Sequence, residues 1–177
     1  MALAATAAPL AAQELVLVLN PAQARIRFTL AATLHTVHGS FRLKSGMIRY
    51  DPVTGRIGGE VVADATSGES GEPSRDRRMH KTVLESARYP DIVFAPDRVE
   101  GTVAAEGISQ VQVHGVFRIH GSAHQIVIPV EVTRNGAATT VKTQFVIPYV
   151  KWGMKNPSTL FLRVGNQVEI DASAAAP

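Results

Sequence analysis

The chain has no cysteine among its 177 residues. That absence excludes disulfides, zinc–thiolate sites, a thiol nucleophile and lipidation on sulfur. Charge is sparse as well: Asp, Glu, Lys and Arg together make up 19%, and the formal net charge is only +3. A nucleic-acid-binding domain gathers its positive charge on one face or helix. Here Lys and Arg are scattered, apart from Arg75, Arg77, Arg78 and Lys81, so nucleic acid is not an expected partner. The catalytic motifs with defined mechanics are also missing: HExxH, the G-x-S-x-G elbow and the S-x-x-K pattern. No internal repeat is present.

What remains is an ordinary globular balance, 45% hydrophobic, long enough for one domain with a real core. Both ends are rich in alanine. Residues 1–12, within "MALAATAAPLAAQE", have the apolar, small-residue character of a secretory leader with a cut at Ala12–Gln13. They lack a basic start, since the first basic residue is Arg25, so the alternative is a disordered leader. The first reading implies a periplasmic or secreted protein. At roughly 11 apolar residues the segment is shorter than the about 20 that a membrane span requires. Residues 173–177 read as a frayed tail, which leaves 13–172 as the folded domain.

Between these ends the dominant signal is period-two alternation, the mark of half-buried strands. Ile26, Phe28 and Leu30 share one face of Arg25–Leu30. Ile126, Ile128, Val130 and Val132 share one face of Gln125–Val132, and Val141, Phe145, Ile147 and Tyr149 one face of Val141–Tyr149. Shorter runs appear at Gly39–Leu43, Arg56–Ala65, Asp91–Ala95, Gln110–Ile119 and Val164–Ile170. Turn signals separate them at Lys44-Ser45-Gly46, Asp51–Gly55, His120-Gly121-Ser122 and Arg134-Asn135-Gly136. Pro129, on the polar parity of its run, marks an edge or a bulge. Many short strands without long crossovers predict an antiparallel barrel or sandwich.

One stretch breaks the pattern. Ser74–Glu85 predicts a short helix capped by Ser70 or Ser74, stopped before Pro90, with Met79, Val83 and Leu84 as an apolar stripe. So short a helix must dock that stripe on something.

The order of features resembles the YceI-like family of lipocalin-like barrels. The segments that carry the resemblance are "HTVHGSFRLKSGMIRYDP", "RDRRMHKTVLESARYPDIVFAP" and "VHGVFRIHGSAHQIVIPVEV". Within them, the Arg75-Asp76 pair opens the helix, Tyr89-Pro90 precedes a strand, and Gly115 to Gly121 keeps the family's glycine spacing. Two departures stand out: Met79-His80 and Glu85-Ser86 follow the Arg-Asp pair, and Tyr149–Pro157 replaces the family's usual C-terminal rim.

The resemblance implies an all-β, lipocalin-like antiparallel β-barrel of about eight strands with one short covering helix. It further implies a non-catalytic protein that binds, stores or transports a polyisoprenoid or isoprenoid quinone in the barrel, with no cofactor and no metal. The ligand-facing candidates by alternation are Phe28, Leu30, His35, Phe41, Phe94, Phe117, Ile119, Phe145 and Ile147, beside Ile26 and Leu43. The helix adds Met79, Val83 and Leu84, and the rim adds Trp152. The partner expected is an apolar isoprenoid-type lipid, with transient contact to a membrane surface, the protein being a monomer or homodimer.

Two other readings compete. Asp76 and His80 lie four apart on the helix, near Ser67, Ser70 and Ser74, the raw materials of a small hydrolase. His35 invites a metal-assisted version, and His120 and His124 are placed to meet across a hairpin. The third reading is a stress-related interaction module whose barrel is filled and has no cavity.

Overall fold

In the computed structural model, which describes residues 14–177, the nine strands form one antiparallel sheet that closes on itself. They are β1 Leu15–Val18, β2 Arg25–Leu30, β3 Val37–Tyr50, β4 Ile57–Glu69, β5 Asp91–Glu100, β6 Gly107–Ile119, β7 Ser122–Asn135, β8 Ala138–Ile147 and β9 Val168–Ala176. From β2 onward each strand pairs with its successor, and β9 returns to β2 with Arg25 opposite Ser173. The result is an eight-stranded up-and-down barrel, one of the two architectures the alternation allows and the one the resemblance implies. Closure removes the exposed edges that an open sheet would present.

β1 extends the wall. It pairs with Met47–Tyr50 of β3, while β2 pairs with Val37–Phe41 along the same edge. The two pieces are split by a 3-10 turn at Pro21–Gln23, where the Asn20 side chain accepts from the Ala22 amide.

Several local expectations change. Lys44-Ser45-Gly46 is no turn: β3 runs straight through it and absorbs a bulge between Leu43 and Ser45. The extra residue is accommodated in the ladder, and Leu19 packs where a Cβ on Gly46 would sit, 2.7 Å from Leu19 Cδ1. The hairpin between β7 and β8 turns on Gly136 and Ala137, since Asn135 still pairs with Ala138. Glycine at the first loop position, with φ +61°, supplies the left-handed residue that such a hairpin requires.

Residues 173–176 are not a frayed tail. They form the end of β9, paired to β8 through Ala176 opposite Thr139, and Ala174 and Ala176 are buried. Alanine has little strand propensity of its own. Partners on both sides and the narrow space beside Leu17, Leu19 and Leu43 decide the matter. The folded domain therefore runs past residue 172. The proposed leader, 1–12, lies outside the described residues.

The helix begins one residue earlier than expected. α1 spans Pro73–Arg78, and its cap is Glu72 rather than a serine: the carboxylate accepts from the Ser74 and Arg75 amides at 3.1 and 2.7 Å. Pro73 occupies the first helical position, where its missing N–H costs nothing. Met79–Val83 then widens into a π-turn, closed by the Leu84 amide on the Met79 carbonyl at 2.9 Å. This i→i+5 bond stacks Leu84 above Met79. An α-helix would swing Leu84 away, whereas the wider turn lets Met79, Val83 and Leu84 all meet the barrel.

Candidate functional site: the barrel cavity

The barrel is hollow. A cavity of about 840 Å³ runs through it, within the range of about 300–1,000 Å³ usual for ligand sites. A filled-barrel module expects no such space. On β6 the lining residues run from Val111 to Ile119, about 26 Å along an extended strand. With strands tilted by about 35–45°, this becomes roughly 20 Å along the axis. The cavity is long and narrow, and aliphatic and phenyl groups dominate its wall.

The predicted residues are brought together almost completely. Phe28, Leu30, His35, Phe41, Met79, Val83, Leu84, Phe94, Phe117, Ile119, Phe145 and Ile147 all line the cavity, as do Ile26 and Leu43. Phe117 sits centrally, 6.5 Å from the Phe94 ring and 6.0 Å from that of Phe145. Two glycines make room for such rings. A Cβ on Gly39 would fall 2.2 Å from Phe28, and one on Gly115 would fall 2.8 Å from Phe94. The ring edges therefore occupy space that a side chain at either glycine would fill.

Trp152 is the exception and does not reach the cavity. Its indole stacks on His124 at 4.2 Å and lies 5.8 Å from Phe117. The reason is a break in the wall. The β7–β8 ladder covers only Val130–Asn135, because Pro129 has no N–H to continue it. The turn after β8 brings Trp152 against β7 beyond that break. His35 lines the mouth and is exposed to solvent.

Alternation missed the far half of the wall. Leu15, Leu17, Leu19, Ile48, Tyr50, Val61, Val111, Val113 and Ala174 also line the cavity. A signal existed in "LVLVL", but both parities there are apolar, and only closure buries Leu17 and Leu19 while leaving Val16 and Val18 exposed. Tyr149 adds a polar group to the wall, and its hydroxyl donates to the Gly165 carbonyl at 2.6 Å. Burial pushes its phenol up to about 12.

Most of the polar lining lies at one end; away from it the wall includes Lys142, Thr143 and Ser173. Ser70, Glu72, Ser74, Arg75, Arg78 and His35 join the lining where α1 crosses the barrel. Arg75 donates through Nε to the Ser70 hydroxyl at 2.7 Å and through Nη2 to the Ser70 carbonyl at 3.0 Å. Arg78 donates to the Pro157 carbonyl at 3.2 Å, tying the helix to the 148–167 connection. Hydrogen bonds from the Ser74 hydroxyl and the Ser74 and Arg75 amides hold the Glu72 carboxyl at about 2. His35, Ser74 and Arg78 reach solvent, so this is the mouth.

The hydrolase constellation does not assemble. Asp76 accepts from the Ser70 amide at 2.9 Å and from its hydroxyl. His80 turns elsewhere: Nε2 donates to the Gly68 carbonyl at 2.8 Å, and Nδ1 lies 2.9 Å from the Ser86 hydroxyl. Ser86 is 4% exposed and does not line the cavity, so this contact braces the helix exit against β4. His120 and His124 do not meet either. His124 opposes Phe117 across the hairpin, and His120 pairs with Glu85 at 2.5 Å. Among the described residues no three His, Asp or Glu side chains cluster as metal ligands.

The family model for the YceI-like domain matches residues 17–176. The chain belongs to the YceI-like family. Solved structures agree on the fold. BcnA of Burkholderia cenocepacia superposes with a TM-score of 0.74 at 19% identity, covering 90% of this chain and 99% of that one. A polyisoprenoid binding domain from Saccharophagus degradans, implicated in plant cell wall breakdown, gives 0.69 at 17% identity, with 90% and 98% covered. The YCEI protein of Campylobacter jejuni gives 0.61 at 18% identity, with 82% and 88% covered. No curated protein sequence matches the chain. The family's barrel thus extends to a chain whose C-terminal rim carries Trp152 and whose helix carries Met79-His80.

Proposed function

We propose that this protein binds one long, apolar lipid of the polyisoprenoid or isoprenoid-quinone class along the barrel axis, without transforming it. The cavity carries this reading: an elongated hydrocarbon-lined channel with polar groups at one mouth. Every Å² of apolar surface taken from water contributes about 25 cal/mol, offset by ordering a flexible chain. A long host with many weak contacts therefore suits a long guest, whose polar end would rest near Arg75, Arg78 and His35. The family membership and the polyisoprenoid binding domain from Saccharophagus degradans support the same class. Such ligands reside in membranes, and we place the protein in the periplasm or the secreted space, where the secretory reading of residues 1–12 would also put it.

The test is native mass spectrometry of protein purified without detergent, followed by solvent extraction. A discrete adduct that extracts as a prenyl chain supports the reading and names the ligand. A bare mass that stays bare after incubation with prenyl lipids overturns it.

A further inference from the structure

Three large apolar side chains stand in solvent at the mouth end of the barrel: Leu160 is 92% exposed, Phe161 89% and Leu34 78%. They are not strays on floppy chain. The Thr159 amide donates to the Leu162 carbonyl at 2.8 Å, closing a turn with Leu160 and Phe161 at its two central positions. Turn centres are ordinarily glycine, proline, asparagine or aspartate, and here they hold leucine and phenylalanine. Leu34 follows Thr33, whose amide and hydroxyl both donate to the Arg163 carbonyl at 2.9 and 3.1 Å. The two connections are thus laced into one projecting tip.

Charge is distributed to match. The four connections at this end, residues 31–36, 70–90, 120–121 and 148–167, hold eight Lys and Arg against three Asp and Glu, a net +5. The whole chain is only +3, with 18 basic and 15 acidic residues, so everything else sums to −2. Connections at the opposite end, 51–56, 101–106 and 136–137, carry Asp51, Arg56 and Glu106, a net −1. The connections around the apolar tip are thus basic, and those at the opposite end are slightly acidic. Residues 148–167 contain Lys151, Lys155 and Arg163 and no carboxylate.

We propose that this tip docks the barrel, mouth first, on an anionic lipid bilayer, with Leu34, Leu160 and Phe161 seated among the headgroups and the surrounding cations against the lipid charge. Aromatic and aliphatic side chains flanked by basic ones are what an interfacial site requires. Each Lys or Arg held near an anionic leaflet strengthens binding roughly fivefold. Docking in this orientation points the cavity mouth at the layer where apolar lipids reside. Its purpose rests on the lipid-binding reading, but the docking itself does not.

Vesicle co-sedimentation of the full chain tests it, using phosphatidylcholine alone and phosphatidylcholine mixed with phosphatidylglycerol, neither containing a prenyl lipid. Binding should require phosphatidylglycerol and weaken as salt is raised. The double variant Leu160→Ser/Phe161→Ser and the double variant Lys155→Glu/Arg163→Glu should each lower it at least about tenfold. None of these four side chains lines the cavity, so prenyl-lipid adducts in native mass spectrometry should persist in both variants. Equal binding to both vesicle types, or binding that survives both variants, overturns the proposal. So does a wild-type dimer without vesicle binding that the Leu160→Ser/Phe161→Ser variant makes monomeric, which would make the tip a contact between two copies. A wild-type protein that binds phosphatidylglycerol vesicles as expected but carries no prenyl-lipid adduct would support the docking and count against the proposed ligand.

Discussion

Tyr149 shows how one side chain reports on the wall. It is buried in the turn just past β8, its hydroxyl donates to the Gly165 carbonyl, and burial raises its phenol from 10.0 to about 12. A raised folded value favours the protonated form. The stability it contributes is therefore whole below pH 10 and lost as pH climbs through about 12. Tyr149→Phe should remove an ultraviolet phenolate step near pH 12, and it should leave the lower-pH titration unchanged. The same scale explains what alternation read well. Phe28 alternates with Arg27 and Thr29, so its face was legible at once, whereas Phe117 and Phe145 each have a valine neighbour and were placed by the parity of the longer run. That Gly39 and Gly115 serve as beds for Phe28 and Phe94 was not, because the glycine and its ring sit on different strands.

At the scale of elements, α1 and β9 make opposite points. Glu72 begins α1 with a carboxyl held near 2 by Ser74 and Arg75, well below its ordinary 4.5. A depressed acid stabilises above its unfolded value and loses that contribution as pH falls through its folded one. Hydrogen-exchange protection factors at the Ser74 and Arg75 amides, corrected for the intrinsic rate at each pH, should therefore be high at pH 4.5 and fall toward pH 2. Glu72→Gln should show low protection throughout. β9 yields a second expectation. Deleting residues 173–177 removes four rungs on β8 and the Arg25–Ser173 rung on β2. At about 0.5–1.5 kcal/mol net per hydrogen bond, urea unfolding should record a loss of at least about 2 kcal/mol. A dispensable tail would show none.

For the molecule as a whole, hollowness is the property at stake. Val113 is buried and lines the middle of the cavity on β6. Enlarging a side chain in a packed core costs about 1–3 kcal/mol, whereas here the added atoms grow into space. Val113→Trp should keep the circular dichroism of the barrel and melt no earlier than wild type. It should also abolish any copurifying lipid adduct. If the barrel were packed in solution, the same variant would unfold early.

Period-two alternation, turn residues and one short amphipathic helix narrowed the fold to an antiparallel barrel or sandwich, and the family resemblance selected the barrel. Alternation also placed most of the wall near the helix, because runs such as Arg25–Leu30 and Gly39–Leu43 put inward and outward residues on opposite parities. Tertiary structure decided what depends on pairing partners distant in the chain. Only closure shows that Ala174 and Ala176 are wall and not tail. Only the ladder that Pro129 ends shows why Trp152 stays outside the cavity. Only the joining of Thr33 to Arg163 gathers Leu34, Leu160 and Phe161 into one tip. Strand propensity and alternation act over a few residues, whereas burial and cavity volume are set by contacts spanning the chain.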